Sequence, residues 1–344
     1  MTPVLDKIKR RKLPPWVFQA AGYAVSVACL AWVLHGYDLR EVVTAIRTLD
    51  WRWVTVAVLL DLSVYIVHGW RWNTLLRPVA RLPFWRTVQA IYIGLFANEV
   101  LPLRTGELIR CYLLAHWNNL RLSVSFASAA VERLIDGFWM VGAFVATSVF
   151  VKLPAYMVDL VRILAGLLGL GAGLLTYVMV HKQHAHSLVR EGRWASTLRH
   201  LVEGLHTMGR RSTLSPAVVI SLLYLAVQIV SVWALMRAYG LDLSVWAAAG
   251  VYAVVRIGTV IPNAPGNVGL FQAATVLGLT LFEVEKNDAK TFSFVMFVAL
   301  TLPLLIGGAI AVALTGLNLK EIRRRAQAGV REQDAARLGD TLAP

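Results

Sequence analysis

Long apolar runs, separated by short polar or basic stretches, recur along this chain. A helix needs about 20 such residues to cross roughly 30 Å of hydrocarbon. Trp16–Leu34, Trp51–Trp72, Ser123–Phe150, Leu160–Val180, Leu214–Met236 and Thr291–Leu314 read as six full spans. Two further apolar regions, 87–119 and 245–281, are interrupted by proline and glycine and read as re-entrant hairpins of broken helix. Between the first two spans, Leu39, Val42, Val43, Ile46 and Leu49 recur at helical spacing, which predicts a short helix lying in the interface. The predicted fold is an all-α polytopic membrane protein, its spans and hairpins arranged as an inverted repeat.

Composition agrees. With 57% hydrophobic residues among 344 and a mean hydropathy of +0.60, the chain is too apolar for a water-soluble fold. The net charge of +14 would suit nucleic acid, but the cations sit in the tails and loops. There they set topology and attract anionic lipid. Arg71, Arg77, Arg81 and Arg86, the basic stretch 181–212, and Lys320 with Arg323, Arg324 and Arg325 mark the cytoplasmic side. Both termini are therefore expected in the cytoplasm, in an inner (plasma) membrane. The domain reading is a basic N-terminus (1–15), a membrane domain (16–315) and a polar tail (316–344).

Smaller signals change little. Ser26–Cys29 faintly resembles a lipoprotein cleavage box, but the apolar run continues past Cys29, which favours a retained anchor. Cys29 and Cys111 fit no disulfide or zinc spacing. His181, His184 and His186 lack acidic or cysteine partners and read as a solvated turn, so neither metal nor cofactor is expected. Trp51, Trp53, Trp70 and Trp72 look like interfacial belts. Asp61, within a span, faces a cavity or bonds a neighbouring helix.

The first interruption carries the chemistry. Asn98, Pro102, Arg104, Gly106, Glu107 and Arg110 fall close together where an apolar run ends without an aqueous spacer. A charged side chain near the bilayer centre costs roughly 2.5–3.5 kcal/mol, so such residues usually face a cavity or a path. The next span adds Glu132, Arg133 and Asp136, with Glu132 and Asp136 on one helix face. The second interruption echoes the first: Val100–Leu108 aligns on Val260–Val268 without gaps, Pro102 on Pro262 and Gly106 on Gly266. Arg256, Pro265, Asn267 and Gly269 complete the second set. Paired Gly/Pro-interrupted segments in two halves point to a transporter site near the midplane. Helix limbs restarting at Thr105 and Gly266 would aim free N–H groups inward, which suits a lipid phosphate. The bland alternative is a pair of kinked helices whose charges neutralise each other.

Three stretches carry a resemblance: Leu101–Arg110 (LPLRTGELIR), Val131–Asp136 (VERLID) and Ile261–Gly269 (IPNAPGNVG). Through them the chain, from roughly Val17 to Thr315, resembles the flippase-like transmembrane domain of the lysylphosphatidylglycerol synthase family. The third stretch departs from the family pattern: Asn267 stands for a glycine and Gln272 near an expected glutamate. Neither the family's glutamate charge at the second half-site nor a particular substrate is therefore carried over. The resemblance implies an inner-membrane protein that moves a lipid between leaflets. No lysine-attaching domain is recognisable, so lysyl transfer by this chain is not expected.

Three functions compete. The first is a flippase or transporter of an anionic phospholipid or lipid-linked intermediate, its headgroup bound by Arg104, Arg110 and Arg133 and the helix N-termini. Proton coupling through Glu107, Glu132 or Asp136 is open to it. The second is a headgroup transferase using Glu132 and Asp136, although no catalytic motif is present and no enzyme is expected. The third is an accessory subunit of a separate lipid synthase. Anionic lipid is the expected partner at the cytoplasmic surface, and nucleic acid is not. Arg104→Ala and Glu132→Ala are expected to abolish lipid movement while leaving expression near normal.

Overall fold

A computed structural model describes residues 15–35, 40–101, 105–150, 155–180, 211–259, 264–316, 320–321 and 323–328. Pro102, Arg104, Pro262 and the stretch 181–210 lie outside these described residues, as does most of both tails. The described chain is wholly helical. Its elements are α1 (Pro15–Leu34), α2 (Arg40–Thr48), α3 (Trp51–Leu76), α4 (Phe84–Val100), α5 (Gly106–Trp117) and α6 (Leu122–Phe150). After these come α7 (Ala155–Val180), α8 (Arg211–Tyr239), α9 (Val245–Gly258), a 3₁₀ turn (Pro265–Asn267), α10 (Leu270–Thr280) and α11 (Lys286–Ala313).

Trp51–Leu76, Thr213–Tyr239 and Lys286–Ala313 are long and apolar enough to cross a membrane, and shorter apolar stretches lie in α1, α7 and α9. The protein is a polytopic helical membrane protein. At 29 residues α6 is about 43 Å long by its rise per residue, but it carries Glu132, Arg133 and Asp136.

The central pair is α3 and α8, the most extensively packed in the molecule. They run antiparallel. Asp50 at the head of α3 donates its N–H to Ala238 O near the end of α8, and Ser231 Oγ donates to Ala57 O about two turns further in. Much of the remaining packing falls into matched pairs. α3 packs on α4 as α8 does on α9, and α5 on α6 as α10 does on α11. α4 crosses to α11, and α9 crosses to α6.

Glycines set how closely each hairpin closes. A Cβ at Gly106 would meet Gly94 O at 1.8 Å, and one at Gly94 would meet Arg110 Cβ at 2.6 Å. In the other hairpin a Cβ at Gly258 would meet Ala274 Cβ at 2.9 Å. A side chain at any of the three would force the helices apart.

Two expectations need correction. The second span does not end at Trp72: α3 runs on to Leu76 with Arg71 and Trp72 fully buried. Arg71 is therefore a core residue rather than a loop marker, and Trp72 is not a belt residue, whereas Trp51 and Trp70 are exposed. The second hairpin's helix does not restart at Gly266 but at Leu270. Gly266, Asn267 and Gly269 have φ of 73°, 53° and 85°, a left-handed backbone that cannot continue an α-helix.

Candidate functional site

The charged motifs lie on three helices, α3 of the central pair and α5 and α6 beside it. On α3, His68 and Arg71 are one helical turn apart; on α5, so are Glu107 and Arg110; on α6, Glu132, Arg133 and Asp136 share adjoining faces. Local spacing makes each pair, and helix packing joins the pairs into a closed ring of alternating charge. Arg71 Nε lies 3.2 Å from Glu132, Glu132 lies 3.2 Å from Arg110, and Arg110 lies 2.8 Å from Glu107. Glu107 then meets Arg133 at 2.6 Å, Arg133 stands 3.7 Å from Asp136, and Asp136 returns to Arg71. Each of the three arginines touches two carboxylates, and each carboxylate touches two arginines.

This closure explains how so much charge is held within an apolar bundle. Removing ions from water costs several kcal/mol each and is offset only by excellent pairing with the remaining groups satisfied. Glu132, Arg71 and Arg110 are fully buried and form the back of the ring. Two aromatic faces complete it, with Arg110 4.6 Å over the Trp72 ring and Arg71 4.6 Å over Tyr224. Trp72 Nε1 is itself held by Ser128 Oγ at 2.8 Å. His68 Nε2 lies 3.1 Å from Arg110 Nη1 and 3.4 Å from Glu132, and its Nδ1 is buried without a partner. Arginine has only N–H groups to offer, so Nε2 accepts and we assign a neutral imidazole.

In front of the ring lies a cavity of about 410 Å³, walled by α3, α4, α5, α6, α8 and α9. Glu107, Arg133 and Asp136 face it from the ring, and Asn98 and Thr259 face it from the ends of α4 and α9. Gln228, Tyr252 and Arg256 form the opposite wall. The Tyr252 hydroxyl donates to Gln228 Oε1 at 2.6 Å. The Arg256 guanidinium stacks 5.7 Å over the Tyr252 ring. Among the described residues no carboxylate forms an ion pair with it.

The sequence-predicted residues divide accordingly. Asn98, Glu107, Arg133, Asp136 and Arg256 reach the cavity. Arg110 and Glu132 stand behind it, buried in the ring, and do not line the cavity. Pro265, Gly266 and Asn267 pack in the 3₁₀ turn against α4, with Gly266 near Glu99. Gly269 presses on α1, where a Cβ would meet Ser26 O at 2.1 Å. None of these four lines the cavity.

The expected inward N–H groups are also engaged. Gly106 N donates to Asn98 Oδ1 at 2.8 Å and Gly269 N to Gln272 Oε1 at 2.7 Å, so one N–H at the start of each helix is capped by a side chain. Asp61 takes neither expected role, because its carboxylate accepts from Tyr65 on its own helix at 3.2 Å. His68, Arg71, Gln228 and Tyr252 were not foreseen. A His–Arg pair one turn apart inside an apolar helix was the available signal for the first two.

An all-helical, multi-pass membrane protein with a self-neutralised ion ring behind a polar cavity is the class these features define. The chain belongs to the family described as the lysylphosphatidylglycerol synthase TM region, whose model matches residues 19–308. Two relatives from Methanothermobacter thermautotrophicus, each called a UPF0104 membrane protein, are similar to it. One is 21% identical over 315 residues (85% of this chain, 89% of the relative), and the other 22% identical over 279 residues (71% and 80%). The glycosyltransferase AglD of Haloferax volcanii is 24% identical over 294 residues, which are 74% of this chain and 47% of AglD. The chain thus spans about half of that enzyme. No solved structure matches.

Proposed function

We propose that the protein binds the headgroup of an anionic lipid or lipid-linked intermediate in the central cavity and passes it between leaflets. The observation that carries this reading is Arg256, a cation in the cavity wall without an ion-pair partner among the described residues, facing a ring that has cancelled its own charge. A desolvated cation without a counter-ion is costly inside a membrane, and an anionic headgroup supplies the missing charge.

Two structural features support alternating exposure. α3–α6 and α8–α11 exchange packing partners in matched pairs, and the leading helices of the two sets run antiparallel, as an inverted repeat requires. We read α4–α5 and α9–α10 as the two re-entrant hairpins. Their close approaches set Gly94 against Arg110 and Gly258 against Ala274, so the halves correspond in a different register from Gly106 on Gly266. Both hairpins end at the cavity, through Asn98 and Thr259. We place the protein in the inner (plasma) membrane with both termini and the basic stretch 181–212 in the cytoplasm, against anionic lipid.

An accessory role beside a separate synthase draws support from the relative named as a glycosyltransferase, which is about twice as long as the stretch it shares. A headgroup transferase using Glu132 and Asp136 draws less, because two arginines already hold each carboxylate. Reconstitution separates these readings. Purified protein in liposomes should move a fluorescent anionic phospholipid with no chemical change, and Arg256→Gln should slow the movement at least tenfold. No movement by the wild type, with a synthase retained on purification, would favour the accessory role.

A further inference from the structure

Resting on the reading that a lipid headgroup occupies the cavity, we infer that the headgroup it takes carries a single net negative charge, as a phosphodiester does. Neither a cationic aminoacylated headgroup nor a diphosphate matches the site. The ring contributes Arg71, Arg110 and Arg133 against Glu107, Glu132 and Asp136, every one of them already paired twice, and so sums to zero. His68 accepts from Arg110 and is neutral. Of the charged side chains lining the cavity among the described residues, Arg256 alone lacks an opposite charge.

One anionic charge therefore brings the ring and the described residues of the cavity wall to neutrality. A cationic headgroup would face Arg256 with no free carboxylate, since Glu107 and Asp136 could accept it only by releasing Arg133 or its ring partners. A diphosphate brings at least one charge that none of the described wall residues answers. At close range inside a protein a mismatched unit charge shifts occupancy by roughly tenfold or more. The rest of the wall suits the non-phosphate part of a polar headgroup. Asn98 commits its amide oxygen to Gly106 N, which leaves the amide nitrogen as its donor, and Gln228 is fixed between Tyr252 and Tyr224 O.

The test is native mass spectrometry of the full-length protein offered a charge series of two-chain lipids in about 0.5 M salt, where surface attraction is screened. The series is ethyl-phosphatidylcholine, phosphatidylcholine, phosphatidylglycerol and phosphatidylinositol 4-phosphate. Phosphatidylglycerol should be retained about tenfold over the neutral and cationic lipids, and no less than the phosphoinositide. Arg256→Gln should erase the preference, and Arg256→Lys should keep most of it. Preferred retention of the cationic or the multiply charged lipid would overturn the inference. So would equal loss in the Gln and Lys variants when both elute as folded protein.

The liposome assay reports on transport separately. Movement of neutral and singly anionic lipids at equal rates would leave transport standing and sink the charge rule. Selective binding without movement would do the reverse.

Discussion

Arg133 of α6 reaches Glu107 of α5 at 2.6 Å, and this is the one bridge of the ring that joins two helices while both partners also face the cavity. Its side chains are 42% and 37% exposed, against 1% or less for Arg71, Arg110 and Glu132. The ring thus has a fixed back and an accessible front. That difference separates what its members should do when replaced.

Breaking the front should cost little stability. Partly exposed ion pairs contribute about 0.2–1 kcal/mol, so Arg133→Ala should leave thermal unfolding within a few degrees of wild type, whereas Glu107→Ala also takes a carboxylate from buried Arg110 and should lower it further. Both should alter the rate of lipid movement, because the bridge ties the first hairpin to α6. A double-mutant cycle on unfolding checks the coupling, and a value above about 2 kcal/mol would mean the pair is structural.

Breaking the back should cost much more. Glu132→Ala leaves Arg71 and Arg110 each with one carboxylate fewer in a fully buried setting, a loss of about 3–5 kcal/mol. Low yield or a strongly lowered melting temperature is the expected outcome. This replaces the expectation, drawn from sequence, that Glu132→Ala would express normally.

Arg71→Lys tests the geometry rather than the charge. Arg71 engages Glu132 through Nε and Asp136 through Nη1 and Nη2. A lysine ammonium is a point charge without that fork. The variant should lie between wild type and Arg71→Ala in thermal stability, and a melting curve identical to wild type would count against the ring.

The hairpin's closeness predicts a contrast between two glycines. Gly106→Ala must push apart α4 and α5, and overpacking of this kind costs about 1–3 kcal/mol. Gly166→Ala on α7 meets nothing within 4 Å and should be neutral or stabilise by up to about 1 kcal/mol. Parallel melting curves of the two variants decide it.

By itself the sequence determined the helices, both interruptions and the charged pairs on α5 and α6. Apolar periodicity and spacing of three or four residues are local properties, readable from neighbours along one chain segment. Tertiary structure decided the rest. Arg71 meets Glu132 from sixty-one positions away, so a residue that looked like a loop cation closes the ring. Arg110, read as a headgroup ligand, stands buried behind the cavity, while Arg256, read as part of the second set, lines the cavity wall without an ion-pair partner among the described residues. Which charges cancel and which remain depends on the faces that packing brings together, and no spacing along the chain encodes that.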